Sequence, residues 1–264
     1  MLGIGVKRII FSIYNSDLQS HSSVSDYKRS QFEKYKDQIK IKQKEYAFLC
    51  KSDYELFSTT ECDYDKLQFD KIIQMEKLAK HYDEILYLDF DVIPKTDVSF
   101  FQNFNLDNIC VYSLPVDFPN KQFRYRMIDD NWHKMDMYVK TCAKNAMLLL
   151  DDISGLDECM NTGVIGANKK SLENLMFSER LDSCITKLEE SKLDNLYPKN
   201  ISKVWQNNNE VFISYIIERF KVPYRNIGLQ WNFILDHVTK NISAGAHMLH
   251  CVNKEFEKIF NLSV

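Results

Sequence analysis

Between residues 7 and 114, short apolar runs alternate with longer amphipathic stretches. That alternation confines the chain to an α/β fold with a mostly parallel central sheet flanked by helices. Residues 7–13 (KRIIFSI) read as a first buried strand, rich in β-branched and aromatic side chains, leading into the polar cluster Tyr14-Asn15-Ser16-Asp17. Over residues 25–44, Phe32, Tyr35 and Ile39 recur three and four apart among many charges, as on a surface helix with one buried stripe; Ser25 or Asp26 would cap it. Residues 46–50 (YAFLC) are expected to form a second strand. Residues 67–82 are expected to form a second helix, with Phe69, Ile72, Ile73, Leu78 and Tyr82 on its inner face. Residues 85–88 (ILYL) follow as a third strand, and Asp89-Phe90-Asp91 stands at its C-terminal end. In open α/β sheets, ligands bind beyond the C-terminal ends of the strands.

Further along, residues 109–114 (ICVYSL) and 163–167 (GVIGA) supply two more strand candidates, the second opening into a helix capped by Asn168 or Ser171. Residues 118–152 mix aromatic, basic and acidic side chains, with Arg124 and Arg126 set beside Phe123 and Tyr125. They are expected to form an irregular, substrate-binding excursion rather than core. Residues 211–220 carry Phe212, Tyr215, Ile216 and Phe220 on one helical face, with Asn209 as a candidate cap and Pro223 as the stop. No repeat, low-complexity tract or linker divides the 264 residues, so one domain is expected.

Charge and cysteine usage narrow the function classes. With 34 Lys plus Arg against 37 Asp plus Glu, the formal charge of -3 argues against a surface built to neutralise nucleic-acid phosphates. Seven scattered cysteines form neither a CxxC pair nor a zinc-site spacing, which fits a reducing compartment. No stretch approaches the roughly 20 apolar residues of a membrane span, and the N-terminal apolar run is too short for a secretory leader. A soluble, cytoplasmic protein is the expectation. Asn-x-Ser tripeptides at Asn200, Asn241 and Asn261 point the other way, but such tripeptides are common by chance.

The acids at the strand end are the strongest candidate for chemistry. Two carboxylates one residue apart, on a segment leaving a strand, can turn to one side once the chain bends. Together they offer oxygen ligands to a hard divalent cation. Mg²⁺ or Mn²⁺ held in this way keeps positions open for phosphate oxygens and stabilises a departing diphosphate.

The segment YDEILYLDFDVIPKTDVSFF (residues 82–101) resembles the part of GT-A glycosyltransferases in which a strand delivers the DxD motif, most like the glycogenin and galactosyltransferase-related families. CMNTGVIGANKKSLENL (residues 159–175) is similar to the family's N-[ST]-G segment, and HMLHCVNK (residues 247–254) to its C-terminal metal-binding histidine segment. The resemblance covers roughly residues 65–260 in order. It implies a GT-A, Rossmann-like fold with a mixed, mostly parallel sheet, and transfer of a sugar from a nucleotide diphosphate donor, UDP-linked by preference, to a glycan or other hydroxyl acceptor with retention. It implies Mn²⁺ or Mg²⁺ on Asp89, Asp91 and a histidine, His250 being favoured over His247. It further implies nucleotide contacts from Ser12, Ile13, Tyr14, Asn15, Asp89 and Phe90, in a nucleotide-binding part of about residues 1–115, with the sugars served by about 116–264. Asn161 would meet the donor sugar while Gly163 lets the backbone approach the ligand. Lys254 would meet the diphosphate, although the family's Gly-x-x-Lys-Pro-Trp continuation is absent. In Trp205-Gln206-Asn207-Asn208-Asn209-Glu210, Gln206 would face the anomeric carbon or Glu210 orient the acceptor, and Trp231-Asn232 resembles the family's late Trp-Asn pair. The alternatives are a Mg²⁺-dependent nucleotidyl or phosphoryl transferase, which also uses Asp-x-Asp, and a non-catalytic nucleotide-sugar-binding protein.

Overall fold

The computed structural model describes residues 5–15, 25–61, 63–115, 132–194, 196–197, 199–235 and 242–260. The chain begins with β1 (Arg8–Asn15), α1 (Asp26–Leu49), β2 (Asp53–Thr59), α2 (Tyr64–Leu78), β3 (Glu84–Leu88) and β4 (Val92–Pro94). It continues through α3 (Phe100–Asn103), β5 (Ile109–Pro115), α4 (Trp132–Leu149), β6 (Glu158–Asn168), α5 (Lys169–Leu175), α6 (Phe177–Leu193) and α7 (Lys199–Ser202). Then come α8 (Asn209–Phe220), β7 (Tyr224–Asn226), a 3-10 turn at Leu229–Trp231, β8 (Phe233–Ile234), β9 (Met248–His250) and α9 (Glu257–Phe260).

Six strands form the main sheet in the order β2-β1-β3-β6-β5-β7. Pairing is parallel at β1–β2, β1–β3 and β5–β7; β6 runs against both its neighbours. The sheet is therefore mixed and mostly parallel, as the expected GT-A fold implies. Its inner strands β1, β3, β6 and β5 are largely apolar because both faces are covered there. Ile9, Phe11, Ile85, Tyr87, Ile109 and Val111 pack in one cluster with α2, α4, α5, α6 and α8, and this cluster draws residues from 9 to 222. Ile10, Leu86, Leu88, Cys110 and Tyr112 face the other way, against Tyr46 and Ala47 of α1 and Phe100 and Phe101 of α3.

A second sheet, β4-β9-β8, is small: β4 and β9 run antiparallel, β8 and β9 parallel. Its side chains Ile93, Leu249 and Phe233 close a third cluster with Phe32, Tyr35 and Ile39 of α1.

Several expectations are corrected. Residues 46–50 belong to the last turns of α1, which runs to Leu49; Tyr46 and Ala47 prolong its buried stripe, and the second strand starts at Asp53. Ser25 is the cap, accepting from the Lys28 amide at 3.3 Å. Over residues 132–149 the expected irregular excursion is instead α4, whose Cys142, Ala143, Ala146, Met147 and Leu148 lie in the main core. Arg124, Arg126, Phe123 and Tyr125 lie outside the described residues, as do Ser16, Asp17 and the tripeptide residues Asn241 and Asn261. The strand expected at 163–167 starts at Glu158, so Asn161-Thr162-Gly163 lies inside β6. Asn168 caps α5 and shares a reciprocal capping box with Ser171. Asn208, rather than Asn209, caps α8, and that helix ends before Pro223 through a left-handed Lys221 (φ 52°).

Candidate active site

Asp89-Phe90-Asp91 is the joint between the two sheets. The Asp89 amide donates to Gly163 O at 2.8 Å, adding one rung to the β3–β6 ladder. Two residues on, the Cys251 amide donates to Asp91 O at 3.0 Å, extending the β4–β9 ladder. Between them the Val92 amide donates to Asp89 O at 2.8 Å and turns the chain. The turn sends the Phe90 ring into an aromatic cluster, 4.8 Å from Tyr14 and 6.0 Å from Phe32 between centroids. Both acids are left to face the C-terminal segment.

That segment brings His250. Its Nε2 lies 3.7 Å from Asp89 Oδ2 and 3.6 Å from Asp91 Oδ2. One ligand atom from each of Asp89, Asp91 and His250 falls within 4.8 Å of the others, a spread suited to one divalent cation. His247, the competing histidine, pairs through Nδ1 with Thr96 Oγ1 at 2.9 Å and lies on the Trp231 ring at 4.5 Å. It is spoken for elsewhere.

Each ligand is held by a partner on its other side. Asp89 Oδ1 accepts from the Tyr87 hydroxyl at 2.6 Å and from Lys71 Nζ at 2.9 Å, which leaves Oδ2 for the centre. Lys71 is buried and also donates to the carbonyl and hydroxyl of Thr162 at 3.3 Å each, tying the acid to β6. Burial and the neighbouring Asp89 charge push the Tyr87 hydroxyl far up, so it remains a donor. Asp91 is paired with Lys254. Burial alone would raise the Asp91 carboxyl, but the Lys254 ammonium and the His250 ring outweigh it and hold the group well below the ordinary carboxylate range. Asp91 is therefore an ionised, ligand-ready carboxylate at neutral pH. Lys254 itself sits in a left-handed backbone conformation (φ 61°), and the Asp91 charge raises its ammonium against the opposing effect of burial.

Other expected site residues occupy varied places. Ser12 is buried in β1 and donates to Gln43 Oε1 at 2.7 Å; Ile13 packs on the main core. Asn15 ends β1 and donates through Nδ2 to Glu61 O at 3.0 Å. Asn161 is buried, and its Oδ1 accepts from the Gly163 amide at 3.2 Å and from Asn232 Nδ2 at 2.7 Å. Glu210 is buried in the first turn of α8, accepting from the Thr162 amide at 3.1 Å and pairing with Lys140. Burial would raise this carboxyl, yet Lys140 and Lys71 bring it below its usual range. Gln206 is exposed, in the turn before α8.

Three supporting residues have no assigned role in the sequence reading. Lys71 gave no local sign, and Asn232 stood out only as part of the late Trp-Asn pair. Gln43 gave a sign: it follows Ile39 by four residues on the buried stripe of α1, where an apolar residue would be expected. Its Oε1 accepts from Ser12 and Tyr54, at 2.7 and 3.0 Å, and its Nε2 donates to Asp89 O and Val92 O, at 3.2 and 2.9 Å. One fully buried amide thus clamps the turn that carries both acids.

An acidic pair leaving β3 meets a histidine delivered from β9, as the resemblance implies, and β6 runs reversed beside β3. The mixed, mostly parallel sheet flanked by helices is consistent with the GT-A fold expected from the sequence. No family model matches the chain, and no curated protein matches it in sequence. Among solved structures it is similar to a glycosyltransferase involved in glycosylation of the major capsid of PBCV-1, at 14% identity over 92% of each chain with a TM-score of 0.46. It is similar to mouse xyloside xylosyltransferase 1, at 10% identity over 93% of this chain and 98% of that one, TM-score 0.46. It is also similar to the galactosyltransferase LgtC in complex with donor and acceptor sugar analogues, at 12% identity over 92% and 86%, TM-score 0.46.

Proposed function

We propose that this chain is a metal-dependent glycosyltransferase that moves a sugar from a nucleotide diphosphate donor, UDP-linked by preference, to a hydroxyl acceptor with retention. The observation that carries this is the convergence of Asp89, Asp91 and His250 at the C-terminal end of β3, each with one ligand atom turned inward. Two carboxylates and an imidazole suit Mn²⁺ or Mg²⁺, with the imidazole favouring Mn²⁺. A cation held there supplies positive charge against the diphosphate as it departs.

The chain's own residues do the rest. Transfer joins the acceptor oxygen to the anomeric carbon while that carbon's bond to the diphosphate oxygen breaks, and the acceptor proton is released. Lys254, paired with Asp91, would follow the diphosphate as a point charge. Ser12 to Asn15 end β1 on the side where the nucleotide would lie, and Asn161 is assigned to the donor sugar. Gln206 and Glu210 flank the start of α8, where they would serve the reacting sugars. Residues 1–115 would serve the nucleotide and residues 116–264 the sugars, within one domain. A core shared by residues 9 to 222 supports that unity. No helix among the described residues is long and apolar enough to cross a membrane, and the six described cysteines are buried free thiols, which supports a cytoplasmic setting.

The test is nucleoside diphosphate release from a panel of nucleotide sugars, with and without chelator. UDP release that stops with chelator and returns with Mn²⁺ is expected. Metal-independent turnover, or full activity in Asp91→Asn, would sink the mechanism. Release of pyrophosphate or phosphate would instead identify a nucleotidyl or phosphoryl transferase, and UDP binding without turnover a carbohydrate-binding protein.

A further inference from the structure

Which nitrogen of His250 faces the acids is decided by a chain of hydrogen bonds that starts at a backbone amide. Gly163 N–H donates to Asn161 Oδ1 at 3.2 Å. A backbone N–H can only donate, so that side-chain atom is fixed as oxygen, an acceptor. Asn232 approaches the same oxygen at 2.7 Å and must present its Nδ2 to it. Its Oδ1 is thereby turned to His250 Nδ1, 2.9 Å away. An amide oxygen only accepts, so Nδ1 carries the proton, and in the neutral ring the lone pair sits on Nε2, the atom facing Asp89 and Asp91.

The route is sealed from solvent, with Asn161 4% exposed, Asn232 0% and His250 5%. Gly163 serves it a second time. A Cβ there would lie 2.3 Å from His250 Cε1 and 2.4 Å from Nδ1, so only glycine leaves room for the ring.

We propose that Asn232 is a positioning residue that sets the tautomer of His250 for metal binding, its own orientation being dictated by Asn161 and the Gly163 amide. Its purpose rests on the metal-site reading above; the tautomer does not. Removing the acceptor frees the ring to rotate and to protonate either nitrogen, and metal affinity falls because Nε2 is no longer reserved.

The experiment measures Mn²⁺ binding calorimetrically in the full chain and in Asn232→Leu and Asn232→Asp. It also records the ¹⁵N signals of the neutral His250 ring in the metal-free protein. Wild type is expected to show protonation at Nδ1. Asn232→Leu should lose that signature and bind Mn²⁺ about 10- to 100-fold more weakly. Asn232→Asp, which still turns an oxygen towards Nδ1 but loses the donor to Asn161 Oδ1, should keep the proton on Nδ1 and bind Mn²⁺ more tightly than Asn232→Leu. Should the leucine variant not fold, the wild-type spectrum and the aspartate variant decide the matter. A wild-type ring protonated at Nε2, or undiminished Mn²⁺ affinity in Asn232→Leu, overturns the relay. Wild-type protein that binds no Mn²⁺ overturns the metal reading, and with it the purpose given to Asn232, while the spectrum still tests the tautomer.

Discussion

The two sheets that meet at Asp89-Phe90-Asp91 are built differently. The six-stranded sheet has four largely buried inner strands between the polar edges β2 and β7, and its reversed strand β6 alone spans 11 residues. The second sheet has strands of three, two and three residues, drawn from positions 92–94, 233–234 and 248–250. Asp89 is bonded into the first and Asp91 into the second. The larger sheet provides a rigid platform, whereas the smaller one gathers distant pieces of chain around it. The group of Asp89, Asp91 and His250, split across that joint, is completed only when both sheets are formed and docked.

Substitutions on the two sides should separate these contributions. The largest effect is expected from Asp91→Asn on the small-sheet side, which removes a buried ligand: Mn²⁺ binding and UDP release should fall about 100-fold or more, by calorimetry and turnover assay. Gly163→Ala acts from the large sheet upon the small one. Its new methyl must displace the His250 ring, so we expect Mn²⁺ affinity to drop about 10-fold or more. Thermal unfolding should register a cost of about 1–3 kcal/mol. Unchanged metal affinity would mean that the ring finds room elsewhere.

A third experiment uses pH. The folded Asp91 carboxyl lies below its unfolded value, so the stability it contributes is complete above the ordinary carboxylate range and is lost as pH falls through that range towards the folded pKa. The gap in urea midpoint between wild type and Asp91→Asn should therefore narrow from about pH 5 down to about pH 2. A constant gap would show that Asp91 and Lys254 are not coupled in the folded chain. The smallest effect belongs to Asn168→Ala, which removes the cap of α5 at the far end of β6. It should cost about 1 kcal/mol in chemical denaturation and leave Mn²⁺ binding untouched.

Legibility in the sequence follows the same division. The β3 strand and its acids were readable because the four apolar residues 85–88 and the acids beyond them are contiguous. The Ser25 and Asn168 caps were readable because capping is decided within three residues. Residues 46–50 misled because an apolar run of five fits a strand or the buried end of a helix equally well, and only the stripe from Phe32 through Ile39 and Gln43 to Tyr46 shows which. The α4 helix was obscured because its charged residues Lys140 and Lys144 look like surface while being paired with Glu210 and Glu218 inside the fold.

By itself, the sequence determined the α/β alternation, the strand that carries the acids and the pair of carboxylates beyond it. These rest on local pattern, apolar period and capping chemistry, which act over a few residues. Tertiary structure decided that His250 and not His247 faces the acids, and that Gly163 makes room for a ring. It also decided that Gln43, Lys71 and Asn232 hold the ligands in place. The reason is distance along the chain: Asn232 and Asn161 are 71 residues apart, and His250 meets acids some 160 positions earlier. No local preference encodes such meetings. They follow from how the two sheets close on one another.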